Sequence, residues 1–174
     1  MSSIPSDPGR PRPTGSTSKR AAAVGPQRGS PSITPETYRS DPLFPRIERA
    51  VLAILASSKV VAPVDVLVGI GALRAEDLEA WRFGRVPFLE RVIQGNLSKL
   101  RRILRILGFY CHDLNLTASR TAYVRWGVKG SRPPLCFTKT GEPRLEAVYS
   151  RQFVWPGKGP FHLPARDRGA TRSS

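Results

Sequence analysis

Apolar residues recur at helical spacing between residues 44 and 107, and the pattern changes to two-residue alternation after residue 120. Together these predict an α+β fold that is mainly helical, with a helical unit, then a β-hairpin, then a short closing helix. A third observation sets its limits. Pro, Ser and Gly make up 20 of the first 43 residues, and so little apolar surface cannot offset the entropy of ordering the chain. Residues 1–43 read as a disordered Pro/Ser/Gly-rich tail, 44–154 as a basic globular domain, and 155–174 as a flexible basic tail.

Phe44-Pro45 opens the first expected helix, because proline in a first turn lacks only an N–H that has no partner there. Ile47, Val51, Ile54 and Leu55 form its buried stripe, and Ser57-Ser58-Lys59 closes it. The second helix runs from about Pro63 to Ile70 and stops at Gly71, a residue suited to a C-terminal cap. The third spans about Ala75 to Phe83 with Leu78 and Trp81 inward, and Gly84 ends it. For Pro87 to Leu107 the apolar stripe holds one phase, through Phe88/Leu89, Val92/Ile93, Leu97, Leu100, Ile103/Leu104 and Leu107. That phase predicts one long amphipathic helix capped by Gly108. Gly95-Asn96 is its weak point, since glycine costs about 1 kcal/mol there relative to alanine; a break with Asn96 as an N-cap is the alternative, and the unbroken phase favours one helix.

In Thr121–Trp126, Ala122, Val124 and Trp126 alternate with Thr121, Tyr123 and Arg125. Leu135 and Phe137 alternate likewise before Lys139. With Gly127 to Pro134 between them, the two runs predict a β-hairpin with a basic tip, the first triplet facing inward. A closing helix is expected from about Pro143 to Phe153, with Leu145, Val148 and Tyr149 packing back.

The chain carries 28 basic and 13 acidic residues, a net charge of +15. Residues 44–153 alone hold eighteen basic against nine acidic residues, so the expected domain is basic in its own right. Such an excess points to a polyanionic partner. No apolar stretch is long enough to span a bilayer, and no secretory signal is recognisable. Seven prolines in residues 1–35 prevent a helical targeting face. A cytoplasmic protein with no membrane contact is expected.

No phosphate-binding glycine loop and no nucleophile-elbow serine motif occurs. The two cysteines do not make a disulfide framework. Cys111, His112 and Asp113 are adjacent, so their side chains diverge rather than converge on a metal or activate a nucleophile. No metal, cofactor or catalytic residue is expected, and the chain reads as a non-enzyme.

The feature that points to a partner is the fourth helix. Arg91, Ser98, Arg101, Arg102 and Arg105 lie opposite its apolar stripe, with Lys99 alongside, and residues 91–112 contain no acid. A merely solvated face usually mixes signs. Guanidinium groups one turn apart can meet successive phosphates or read guanine edges. The hairpin adds Lys129 and Arg132 at its tip, and Tyr123 and Arg125 on its outward face, where tyrosine could stack on a base.

The order of helix, helix, long basic helix and hairpin resembles a winged helix-turn-helix. Asn96-Leu-Ser-Lys-Leu-Arg-Arg-Ile-Leu-Arg-Ile-Leu-Gly-Phe-Tyr110 looks like its recognition helix. That resemblance covers about 60–138 and implies duplex DNA, ahead of RNA, as the partner. Residues 46–154 also resemble short bacterial proteins of no assigned function, through Val61-Ala-Pro-Val-Asp-Val-Leu and Phe88-Leu-Glu-Arg-Val-Ile93. That likeness implies no activity. Non-catalytic nucleic-acid binding is the expected function, with a homodimer left open. The alternative is an adaptor or structural module docking an acidic protein.

Overall fold

Proline stands in the first turn of three helices: α1 (Phe44–Ser57), α2 (Pro63–Gly69) and α5 (Pro143–Tyr149). These lie in a computed structural model that describes residues 32–163. Between them come α3 (Ala75–Arg82) and α4 (Leu97–Asp113). Three short strands complete the α+β fold: β1 (Val60–Val61), β2 (Thr117–Arg120) and β3 (Arg151–Val154). β3 is the middle strand, antiparallel to both neighbours. Val61 faces Phe153 on one side, while Ala118 faces Phe153 and Arg120 faces Arg151 on the other.

The core forms where α1 meets α2 and α4. Ile47, Val51 and Leu55 of α1, Val64 and Leu67 of α2, and Ile103, Ile106, Leu107 and Tyr110 of α4 are all buried. A second cluster, of aromatic residues, joins α3, α5 and the segment between β2 and α5. Phe137 stacks on Tyr149 at 5.2 Å and lies 5.0 Å from Trp81 and 5.1 Å from Tyr123. The indole Nε1 of Trp81 donates to the Cys136 carbonyl at 2.8 Å.

The structure corrects five expectations. The long fourth helix is broken at Gly95, whose φ of 114° is left-handed. Asn96 caps the new start, its Oδ1 accepting from the Lys99 N–H at 2.7 Å. The segment before it is a single 3₁₀ turn, Leu89–Arg91, held by Leu89 N–H to Cys136 O and Glu90 N–H to Phe137 O. The apolar phase persisted across the break because both pieces face the same core. At the other end, Gly108 does not stop α4, since Tyr110 and Cys111 continue the buried stripe for another turn.

The expected hairpin at 121–139 is not a pair of strands. One bridge, Val124 to Pro134, and two hydrogen bonds, Arg125 N–H to Pro133 O and Leu135 N–H to Tyr123 O, close it. Pro133 and Pro134 have no N–H to extend the ladder. The antiparallel pair forms instead between β2 and β3, on either side of residues 121–150. The closing helix accordingly ends at Tyr149, because Arg151–Val154 serve as the central strand.

Ordered chain also begins before residue 44. The compact unit that includes the described residues starts at Ile33. Tyr38 is 1% exposed, edge-on to Phe44 at 5.3 Å and 5.9 Å from Phe109. Its hydroxyl donates to Asp113, which also accepts from Arg39 at 2.8 Å. With Asp41, which accepts from Arg102 of α4 at 2.6 Å, three residues of a Pro/Ser-rich segment thus supply what its composition hid: one buried ring and three polar contacts to α4. Beyond residue 154, Trp155 and Phe161 pack edge-to-face at 5.1 Å against the core. The rest of the expected tails, 1–31 and 164–174, lies outside the described residues. Among the described residues, no helix is long and apolar enough to cross a membrane.

Candidate nucleic-acid interface

Helical geometry sorts the predicted basic residues. On α4, Ser98, Lys99, Arg101 and Arg105 are exposed. Arg101 and Arg105 are four residues apart and so lie on one face, about 6 Å apart along the axis. Arg102 is turned aside: its Nε donates to Asp41 Oδ2 at 2.6 Å, and the Asp41 side chain is only 2% exposed. Arg102 therefore binds the N-terminal segment to α4 and leaves the predicted phosphate-facing set. Arg91 is exposed but sits on the 3₁₀ turn, not on the same helix.

Arg101 and Arg105 rim a groove of about 500 Å³ between α4 and α5. Leu104, Phe109, Leu145 and Val148 form its apolar floor, and Arg151 and His112 extend its rim. Arg151 was hidden from sequence reasoning, which put it in a helix. As the central strand's first residue it stands directly opposite Arg120 of β2. Both are exposed, and directly opposed residues project to the same face. Like charges so placed destabilise a sheet by roughly 0.2–1 kcal/mol.

Three acids of this part of the fold are held by hydrogen bonds to other groups, Glu146 and Glu90 in partly buried contacts and Asp113 at the surface. The Glu146 carboxylate accepts from Phe137 N–H and from Thr138 N–H and hydroxyl at 2.7–3.1 Å. Glu90 accepts from the Tyr149 hydroxyl at 3.0 Å. Asp113 takes Tyr38 and Arg39, with His112 Nδ1 3.9 Å from its other oxygen. Partial burial acts to raise the Asp113 carboxyl, but the hydrogen bonds from Tyr38 and Arg39 outweigh it and hold it below the usual carboxylate range. Arg91, Arg101, Arg105, Arg120, Arg144 and Arg151 make no ion pair with an acid among the described residues.

The second basic group lies on the ribbon after β2. Lys129 and Arg132 are exposed at its tip. Arg125 is exposed too, but its Nε donates to the Phe83 carbonyl at 2.9 Å, across Gly84. A Cβ at Gly84, which has a φ of 72°, would lie 2.5 Å from that Nε, so only glycine lets the arm cross. The ribbon keeps only part of the expected alternation: Arg125 is exposed and Val124 half-buried as expected, but Tyr123 and Trp126 have changed places. Tyr123 is half-buried, 5.7 Å from Trp81 and within reach of Gln152, while Trp126 is 42% exposed. Burial raises the Tyr123 phenol. Tyr123 is thus a packing residue and not a platform for bases. The inversion follows from α3, whose Trp81 offers an aromatic surface on the side where Tyr123 falls.

Cys111 is buried within α4, where burial pushes its thiol up, whereas Cys136 is exposed on a different segment. Among the described residues, no group of three or more His, Cys, Asp and Glu side chains could hold a metal ion. No protein-family model matches the chain, and neither a curated protein nor a solved structure is significantly similar to it.

Proposed function

We propose that the protein binds nucleic acid without catalysis, docking duplex DNA through the exposed face of α4, the Arg120–Arg151 pair and the ribbon tip. One observation carries this reading: Arg101, Arg105 and Arg151 line one groove, Arg120 stands opposite Arg151, and none of the four makes an ion pair with an acid among the described residues. The chain order supports it, since α4 runs directly into β2, with β3 antiparallel beside it. That order resembles the recognition helix and wing strands of a winged helix, with the ribbon at 121–139 as the candidate wing. Arg101, Arg105, Lys129 and Arg132 would meet phosphates, while Ser98, nearer the start of α4, would approach base edges.

Counterion release gives the test. If Arg101, Arg105, Arg120, Arg151, Lys129 and Arg132 each neutralise one phosphate, log affinity falls against log salt with a slope of roughly −5.4. Arg101→Ala with Arg105→Ala should flatten it by about 1.8 units. An unchanged slope and affinity in that double variant would refute α4 as the docking face.

A second reading draws on the α4–α5 groove. An apolar floor rimmed by Arg101, Arg105 and Arg151 suits an amphipathic acidic helix of a partner protein. It takes first place if duplex DNA fails the salt test.

A further inference from the structure

The phosphate-facing cations leave one surface feature unexplained, the indole of Trp126. It is 42% exposed, although a loop free to rearrange would gain by hiding it. Instead it is held in place. Its backbone N–H donates to the Arg82 carbonyl at 2.7 Å. The Arg82 guanidinium lies over the indole, 4.6 Å from the ring centroid, and reaches the Tyr123 ring at 5.9 Å. Phe83 meets the indole perpendicularly at 5.9 Å. Gly127 follows at a φ of 74°, and a Cβ there would lie 3.4 Å from the Phe83 ring. The indole is therefore fixed before any ligand arrives, at the surface end of a ladder from Phe137 through Tyr123 and Arg82.

Its surroundings are cationic. The Arg85 guanidinium lies 5.4 Å from the Phe83 ring, and Lys129 and Arg132 follow within six residues of Trp126. Asp65 is the acid whose charge acts on this cluster, through Arg82 and Tyr123. A rigid, half-covered aromatic ring among cations suits a flat π-system joined to phosphate. Bases inside a duplex already stack on both faces, so away from its ends only an unpaired base presents a free one.

Resting on the nucleic-acid reading above, we propose that Trp126 is a stacking platform for an unpaired nucleobase. The favoured ligand is then a duplex with a single-stranded extension, the helix face on the duplex and Trp126 on the extension. Stacking is sequence-tolerant, so the identity of the extension's bases matters little.

The test compares a blunt duplex with the same duplex carrying a short oligo-dT extension, for the wild-type chain, Trp126→Ala and Trp126→Phe. The extension's phosphates help all three proteins equally. The wild type should gain further, by roughly tenfold, over Trp126→Ala, and this excess should persist as salt rises. Trp126→Phe should keep part of it. Indole fluorescence should be quenched by the extension in the wild type but not in Trp126→Phe, which retains Trp81 and Trp155. Binding of both ligands with the same extension gain in all three proteins overturns the platform and leaves duplex binding intact. Failure of every protein to bind either ligand overturns the platform together with the function it rests on.

Discussion

Arg101 and Arg102 are neighbours in sequence and should respond to alanine in opposite ways. Arg102 is 27% exposed at its side chain, and its Nε lies 2.6 Å from a carboxylate that is 2% exposed. Removing one member of a buried pair costs about 3–5 kcal/mol, because the other is left charged and unpaired. Two facts lower that figure here. The Arg102 side is partly solvated, and Asp41 Oδ1 keeps the Leu43 N–H at 2.8 Å. Arg102→Ala should therefore cost about 2–4 kcal/mol, a fall in melting temperature on the order of 10 °C. Arg101→Ala, at an exposed position, should stay within about 0.5 kcal/mol of wild type. Urea and thermal unfolding followed by circular dichroism measure both. Asp41→Asn combined with Arg102→Ala should cost less than the two single changes added together, with a coupling of about 1–3 kcal/mol. Equal stabilities for Arg101→Ala and Arg102→Ala, with no coupling to Asp41, would refute the ion pair. It would also return Arg102 to the docking surface. The distinction governs any binding experiment, since a variant lacking both arginines mixes lost affinity with lost folding.

Acid should loosen the N-terminal segment. The Asp113 carboxyl is held below its usual range in the folded protein, so its stabilisation is complete above the unfolded carboxylate pKa, about 3.9. It is lost as pH falls through the lower folded value. Melting temperature measured from pH 6 to pH 2 should therefore fall less steeply at the acidic end in Asp113→Asn than in wild type. Arg120→Glu should turn a like-charge cross-strand pair into a salt bridge with Arg151, raising stability by roughly 0.2–1 kcal/mol while weakening duplex DNA binding. A variant that gains stability and keeps full affinity would remove that pair from the interface.

Helix positions α1 to α3 were legible because each has its own start, stripe and stop within a few residues. The failures share a cause, which is that long-range partners decided them. Gly95-Asn96 carried a visible cap signal, but the unbroken apolar phase masked it. The turn before it is fixed by hydrogen bonds from Leu89 and Glu90 to the segment at 136–137 and from Gln94 to Ala72. Tyr38 was hidden in a segment judged by composition, although one ring against Phe44 and Phe109 suffices to order it. Trp126 was expected inward from alternation alone, and Trp81 reversed the choice by packing on Tyr123. Arg151 could not be seen as part of a basic face while it was read as helical. Its pairing with Arg120 depends on β2 and β3, which residues 121–150 separate. The exposed arginines at 101 and 105 and the tip at 129–132 were legible, because charge without nearby acid is a local property.

A fold that leaves arginines opposed carries a cost that simple rearrangement would remove. Glu146 and Glu90 act electrostatically on Tyr149, as Arg101 does, yet each is held by a hydrogen bond that shapes the chain and not by an ion pair: Glu146 to the backbone at 137–138 and Glu90 to Tyr149. The same contacts hold the ribbon that carries Lys129, Arg132 and Trp126, because Phe137 lies between Tyr149 and Tyr123 in the aromatic cluster. Acidic groups thus act as internal fasteners, and the cations they might have paired stay outward on a surface already rigid. Anion binding to such a surface needs little movement of the backbone beneath it, although each exposed arginine or lysine that docks gives up rotamer freedom. A solvated face with no partner has no reason to keep its charge unbalanced at the expense of strand pairing. That joint arrangement of spent acids, opposed arginines and a fixed indole favours a polyanionic ligand with aromatic bases over a protein helix, for which the indole and the ribbon tip would have no use.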